Sequence, residues 1–156
     1  MTAQAYEKSD AGKYAYIHFV AHATSSRISP LDSGIILSND GGTTKLYARD
    51  IMQQPLHASL VTVAACYGAG TRAYSGEGLV GLSWAFLRAG AHNVIAALWE
   101  VNDASTPQLM NTLYTGLGNG KDPASALRDA KLKLLHSDSV FRRPFYWGAF
   151  QLYSGS

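Results

Sequence analysis

The sequence predicts one α/β domain, a mostly parallel sheet with helices packed on both faces. Three observations lead there. Short apolar runs of strand length at residues 14–22, 60–65 and 92–99 alternate with segments of helical spacing, the pattern of an α/β sheet. The run "LVTVAA", Leu60 to Ala65, is apolar on both faces except for Thr62, as a strand covered on two sides must be. The chain has 156 residues with a hydrophobic fraction of 47%, enough for a real core and too apolar for disorder.

Element by element, "YAYIHFVAH", Tyr14 to His22, mixes aromatic and β-branched residues and reads as a strand. Thr24 to Ser33 is polar and broken by Pro30, hence a loop. Ile35–Leu37 and Lys45–Tyr47 form the arms of a predicted hairpin, with Asn39-Asp40-Gly41-Gly42 as its turn. A short helix starts at Ala48 and stops before Pro55. After the strand at Leu60, Tyr67 to Gly78 is glycine-rich loop, and Leu79 to Ala89 is apolar nearly all round, a buried helix stopped by Gly90 in a left-handed cap. His92 to Trp99 is a third buried strand. Ser105 or Thr106, followed by Pro107, opens a helix that carries Leu109, Met110, Leu113, Tyr114 and Leu117 at helical spacing. Asp122-Pro123 opens another. Trp147 to Gly155 is the last strand.

Composition narrows the function. The net charge is +2, and basic residues are scattered apart from Lys131, Lys133, Arg142 and Arg143, so nucleic acid is not an expected partner. A single cysteine excludes an internal disulfide and fits a reducing compartment. The N-terminus lacks a signal-peptide core, and no apolar run approaches the roughly 20 residues of a membrane span. The expectation is a cytoplasmic domain with no membrane partner.

That lone cysteine, Cys66, sits where a buried strand gives out. Parallel strands present their following loops on one rim, where ligands bind. His22 ends the first long strand, Cys66 the second, and Asp103 lies just past the third. A free thiol has a pKa near ~8.5 and needs a base to become a nucleophile at neutral pH. Of five histidines, His22 is best placed. His18 shares its face but lies deeper; His57 and His92 belong to the opposite end of the sheet, and His136 to a helix end. The competing reading is a buried, inert cysteine. Other constellations are weaker. "GAGTRAYSGEG" lacks the Lys-Ser/Thr of a phosphate loop. "GLSWA" falls inside a helix pattern, not at a strand-to-helix turn. His18 and His22 lack a third metal ligand. No cofactor and no metal are expected. Glu77 either holds the loop near Cys66 or is solvated, and Tyr146 and Trp147 pack the core.

"HFVAHA", "LVTVAAC", "GEGLVGLSWAFLRAGAHNVIAALWEVNDAST" and "FYWGAFQLYSG" together resemble a CHAT domain, a caspase-like cysteine peptidase family related to separase and the caspases. The resemblance runs from about Tyr14 to Gly155. It implies a caspase-like sandwich whose last strand is antiparallel at the sheet's far edge. It implies a cysteine endopeptidase acting on protein or peptide substrates through an acyl-enzyme, with His22 as base or orienting group and Cys66 as nucleophile. By the same resemblance the backbone N–H groups of Ala23 and Cys66 form the oxyanion hole. Most relatives have glycine where this chain has Ala23. If the site requires a left-handed backbone there, alanine costs roughly 1–2 kcal/mol. "LWEVND" is similar to the separase stretch whose final aspartate receives a basic residue before the scissile bond, which makes Asp103 the substrate-binding carboxylate. The alternative roles are a helix cap for Asp103 and, for the whole domain, a catalytically silent interaction module.

Residues 1–13 read as a polar N-terminal segment and 14–156 as the catalytic domain, the C-terminal part of something larger. In the caspase-type sheet two further strands precede the one ending in the histidine. Tyr14–Ala21 is accordingly expected at an open sheet edge, with an upstream segment or partner supplying the missing strands.

Overall fold

Strand β1, Tyr16–Thr24, is the strand around which the sheet is laid out. In the computed structural model, which describes residues 1–26, 28–39, 41, 44–67 and 77–155 (the side chains of residues 65–67 and 77–80 lie outside that description), β1 pairs on both sides. One neighbour is β2, Gly34–Ile36, running antiparallel. The other is β4, Leu60–Tyr67, running parallel over eight consecutive register pairs. With β3 (Lys45–Tyr47), β5 (Asn93–Ala97) and β6 (Phe150–Ser154) the sheet order is β3-β2-β1-β4-β5-β6. The centre β1-β4-β5 is parallel, and β6 runs antiparallel to β5 at the far edge. The fold is the mixed α/β arrangement expected, with antiparallel strands on both flanks of a parallel core.

On the side away from β4, β1 pairs only at His22, Ala23 and Thr24 among the described residues, so the edge expected along Tyr14–Ala21 carries no neighbouring strand there. The arms of the predicted hairpin pair, with Ile35 opposite Leu46, while Asp40 and Gly42 of its turn lie outside the described residues; the first arm meets the end of β1 with Ala23 opposite Ile35. A strand that follows β1 therefore covers the rim end of that edge and leaves the rest without a strand. Only residues 25–33 separate β1 from β2, so this pairing closes a short loop at little entropic cost.

Alternation along β1 and β4 divides the core in two. Odd positions Phe19, Ala23, Val61 and Val63 face α1 (Ala3–Lys8), α2 (Ala48–Ile51) and α3 (Glu77–Ala89). Even positions of β4, Leu60 and Ala64, face α4 (Thr106–Gly118) and α5 (Pro123–Leu135). The polar first segment is a packed one: α1 buries Ala3 and Tyr6, and the Tyr6 ring lies 5.7 Å from that of Phe19. Gly90 takes the left-handed cap, at φ +112°. The Leu56 carbonyl oxygen lies 2.2 Å from where a Cβ would sit, so no other residue fits. Asp122 caps α5 by accepting the Ser125 N–H. No helix among the described residues is long and apolar enough to cross a membrane.

Helices α4 and α5 cover β4, β5 and β6 and reach β1 at His18, where Tyr114 of α4 stacks on the imidazole. The rest of the even face of β1 is open: Tyr16 is 49% exposed and Val20 82%, although both belong to a strand at the centre of the sheet.

Candidate functional site

After β1 the chain turns to β2 on one side; after β4 it crosses through α3 to β5 on the other. Connections that leave adjacent parallel strands in opposite directions open a crevice between their carboxyl ends. The crevice here lies between His22 and Cys66. Those two residues are direct register partners in the β1–β4 pairing. Residues in register on neighbouring strands share a sheet face, so the two positions stand side by side on the face toward α4. β5 leaves the sheet at Ala97, and its pairing with β4 ends at Val63–Ala96. The segment from Leu98 to Ser105 then arches over the gap.

A cleft of about 880 Å³ opens at this place. His22 and Ala64 line it from the sheet, Glu100 and Asp103 from the arching segment, and Thr106 and Met110 from α4. His22 is exposed to it. Of the residues singled out from sequence, His22, His18 and Asp103 thus line one cleft, and Cys66 is placed beside it by register. The Cys66 side chain, that of Glu77, and the glycine-rich loop at 68–76 fall outside the described residues. His92 donates its backbone N–H to the Ala58 carbonyl at the opposite end of the sheet, and His136 is the C-cap of α5, as read from the sequence. Trp147 packs against the second core and donates its indole N–H to the Arg142 carbonyl; Tyr146 stacks edge-on with Phe141. The "GLSWA" serine, Ser83, is buried inside α3, not held at a turn.

Ala23 is 2% exposed and lies within β1. Asp10 is the only described non-glycine residue with positive φ. The backbone at Ala23 is therefore not left-handed, and the strain anticipated for alanine at this position does not arise.

Asp103 does not cap α4. Asn102 does the local work: its side-chain oxygen accepts the N–H groups of Ala104 and Ser105, an Asx-type turn. Ser105 occupies the N-cap position without a side-chain cap bond. Asp103 is left exposed at the lip of the cleft.

His18 shares the face of His22 and lies deeper along β1, as read from the sequence. Its ring also lines the cleft, stacked on Tyr114 with centroids 5.5 Å apart and 30° between planes. Burial lowers its imidazole pKa. Tyr114 donates its hydroxyl to Thr62 Oγ1 at 3.0 Å, which explains the one polar residue of the β4 run. Burial pushes the Tyr114 phenol up in pKa, with the Thr62 bond opposing. Glu100, Thr106 and Met110 line the cleft without having been singled out from the sequence as site residues. The i, i+4 spacing of Thr106 and Met110, continued by Tyr114 against His18, was the available signal, since it places them on one helix stripe.

The CHAT domain family model matches residues 2–156. Tetratricopeptide repeat protein 28 of Mus musculus is 35% identical over 107 residues, and the protein of the same name from Homo sapiens is 31% identical over 107 residues. Each match covers 69% of this chain and 4% of the relative, so the chain spans a small fraction of the length of these curated relatives. With a family match over essentially its whole length, the chain belongs to the CHAT domain family.

Proposed function

We propose that this domain is a caspase-like cysteine endopeptidase that uses Cys66 and His22. The observation that carries the reading is the register pairing of these two residues at a topological switch point, beside a cleft that His22 lines. In the proposed cycle His22 takes the thiol proton of Cys66, and the thiolate attacks a peptide carbonyl carbon. The resulting oxyanion accepts N–H bonds from Ala23 and Cys66. Aimed backbone amides need no reorganisation during the reaction, which makes them efficient at this task. The tetrahedral species collapses, the C–N bond breaks, and the leaving amine takes the proton from His22. Water, deprotonated by His22, then attacks the thioester carbon; the acid product leaves and the proton returns to the thiolate.

Asp103 supplies the specificity in this reading. A carboxylate at the lip of the cleft favours Arg or Lys before the scissile bond through a charge-assisted pair, and its absence from the α4 cap leaves it available. The reduced protein should be screened against peptides bearing a cysteine-reactive electrophile, with Cys66→Ala as control. Labelling confined to Cys66 and dependent on His22 is expected. A folded protein whose Cys66 reacts no faster at pH 6 than a free thiol would sink the peptidase reading in favour of an interaction module.

A further inference from the structure

We infer that the cleft holds a second subsite, a trough beneath His22 for an apolar substrate side chain of leucine to methionine length, with the His18–Tyr114 pair as its floor. The inference rests on the peptidase reading for its occupant, a substrate peptide, but its geometry is independent of any chemistry at Cys66.

The trough follows from two matched periodicities. Alternate residues of β1 step down from the rim by about 6.6 Å, from His22 to Val20 to His18. Every fourth residue of α4 steps down by about 6 Å, from Thr106 to Met110 to Tyr114. α4 begins at the rim, directly after the segment that follows β5, so the two ladders descend together. They meet β4 rung by rung, since Val20 is in register with Ala64 and His18 with Thr62. At the third rung the ladders touch: Tyr114 stacks on His18 and bonds Thr62. At the second they do not, for Val20 is 82% exposed while Ala64 and Met110 line the cleft. The space one rung deep between His22 and His18 is thus walled by a valine, an alanine and a methionine, and closed below by two rings.

Charge separates this trough from the lip. The two carboxylates of the cleft, Glu100 and Asp103, lie on the arching segment above the first rung. Neither wall of the second rung carries a charge. A basic side chain inserted there would leave its cation against uncharged groups, an expensive placement; it is held at the lip instead. An apolar side chain loses nothing in the trough and gains burial of its methylenes at roughly 0.8 kcal/mol each.

The test uses two readouts. Cys66→Ala protein is titrated with short acetylated peptides that carry Met, Phe or Asp at one varied position, and the ring signals of His18 and Tyr114 are followed by NMR. In parallel, electrophilic versions of the same peptides are used to label the wild type, Val20→Trp and His18→Ala. The Met peptides should move both ring signals and the Asp peptides neither. Val20→Trp, on an open face where it does not disturb the core, should lower labelling by Met peptides at least tenfold while the preference for Arg at the Asp103 position persists. His18→Ala should extend acceptance to Phe. Met peptides that leave both rings undisturbed, or labelling unaffected by Val20→Trp, would overturn the trough. Ring shifts without any labelling of Cys66 would support the trough and count against the peptidase reading alone.

Discussion

His22 and Cys66 stand directly opposite one another in the parallel pairing of β1 and β4, one on each side of the point where the sheet's connections diverge. Their juxtaposition is therefore set by the rigid centre of the sheet, not by the loops that follow it. Cys66→Ala should abolish peptide hydrolysis, and His22→Ala should lower it by roughly 10²–10⁴-fold, the usual reach of a general base. Both variants should keep the wild-type near-UV circular dichroism. Hydrolysis that survives in Cys66→Ala would exclude the proposed nucleophile.

Asp103→Asn should reduce kcat/KM for substrates with Arg or Lys before the cut by about 10- to 100-fold, the equivalent of roughly 1.5–3 kcal/mol for a hydrogen bond to a charged group. Folding should be untouched, because Asn102 and not Asp103 closes the turn before α4. Substrate profiling of both proteins checks this; an unchanged basic preference would release Asp103 from the role.

The stacked His18 yields a pH dependence. Its pKa is lowered in the folded protein by burial, so below the ordinary histidine value of ~6.5 the unfolded chain binds more protons than the native one. Stability associated with this group is complete above pH ~6.5 and is lost as pH falls toward the folded pKa. His18→Phe keeps a ring against Tyr114 but cannot titrate. Between pH 7 and 5 the melting temperature of the wild type should fall more steeply than that of His18→Phe. Parallel curves would show that the stack is indifferent to protonation.

Tyr6 and Gly90 test the core. The Tyr6 hydroxyl is buried without a partner among the described residues, and burial pushes its pKa up to about 12. Tyr6→Phe should leave stability unchanged or raise it by up to about 1–2 kcal/mol, as relief of an unpaired buried group does, whereas Tyr6→Ala should cost about 3–5 kcal/mol. Gly90→Ala combines a left-handed backbone with a collision against the Leu56 carbonyl, and roughly 2–5 kcal/mol should be lost. Gly118→Ala, with nothing within 4 Å of the new Cβ, is the matched control and should be neutral or slightly stabilising. Urea denaturation measures all four.

Most of the fold could be read from local pattern. The buried β4 run, the two hairpin arms, the Asp122 cap and the Gly90 stop each carry a short-range physical signal, and each formed where that signal put it. The order of strands carried none. Nothing within β1 distinguishes a strand whose neighbour precedes it from one whose neighbour follows, and the hairpin's return onto Ala23 is a tertiary event. The site was legible in the same uneven way. A histidine and a cysteine at the ends of two apolar runs mark a rim, but Glu100 and Met110 join it only once a loop and a helix fold across. Alternation put His18 on the face of His22 and deeper, where it lies, but its stack on Tyr114 depends on a helix crossing that face, which alternation does not encode.

The bare even face of β1 gives the domain an uncommon freedom to change. In most sheets a central strand is committed on both sides, and altering it disturbs packing wherever one starts. Here Phe19 and Ala23 anchor the strand from one side, while Tyr16, Val20 and His22 look outward from the other. Diversifying the outward positions samples recognition while folding is held constant. Related domains could drift apart in what they bind with little selective friction from stability, and a library built at residues 16 and 20 would retrace that drift in the laboratory.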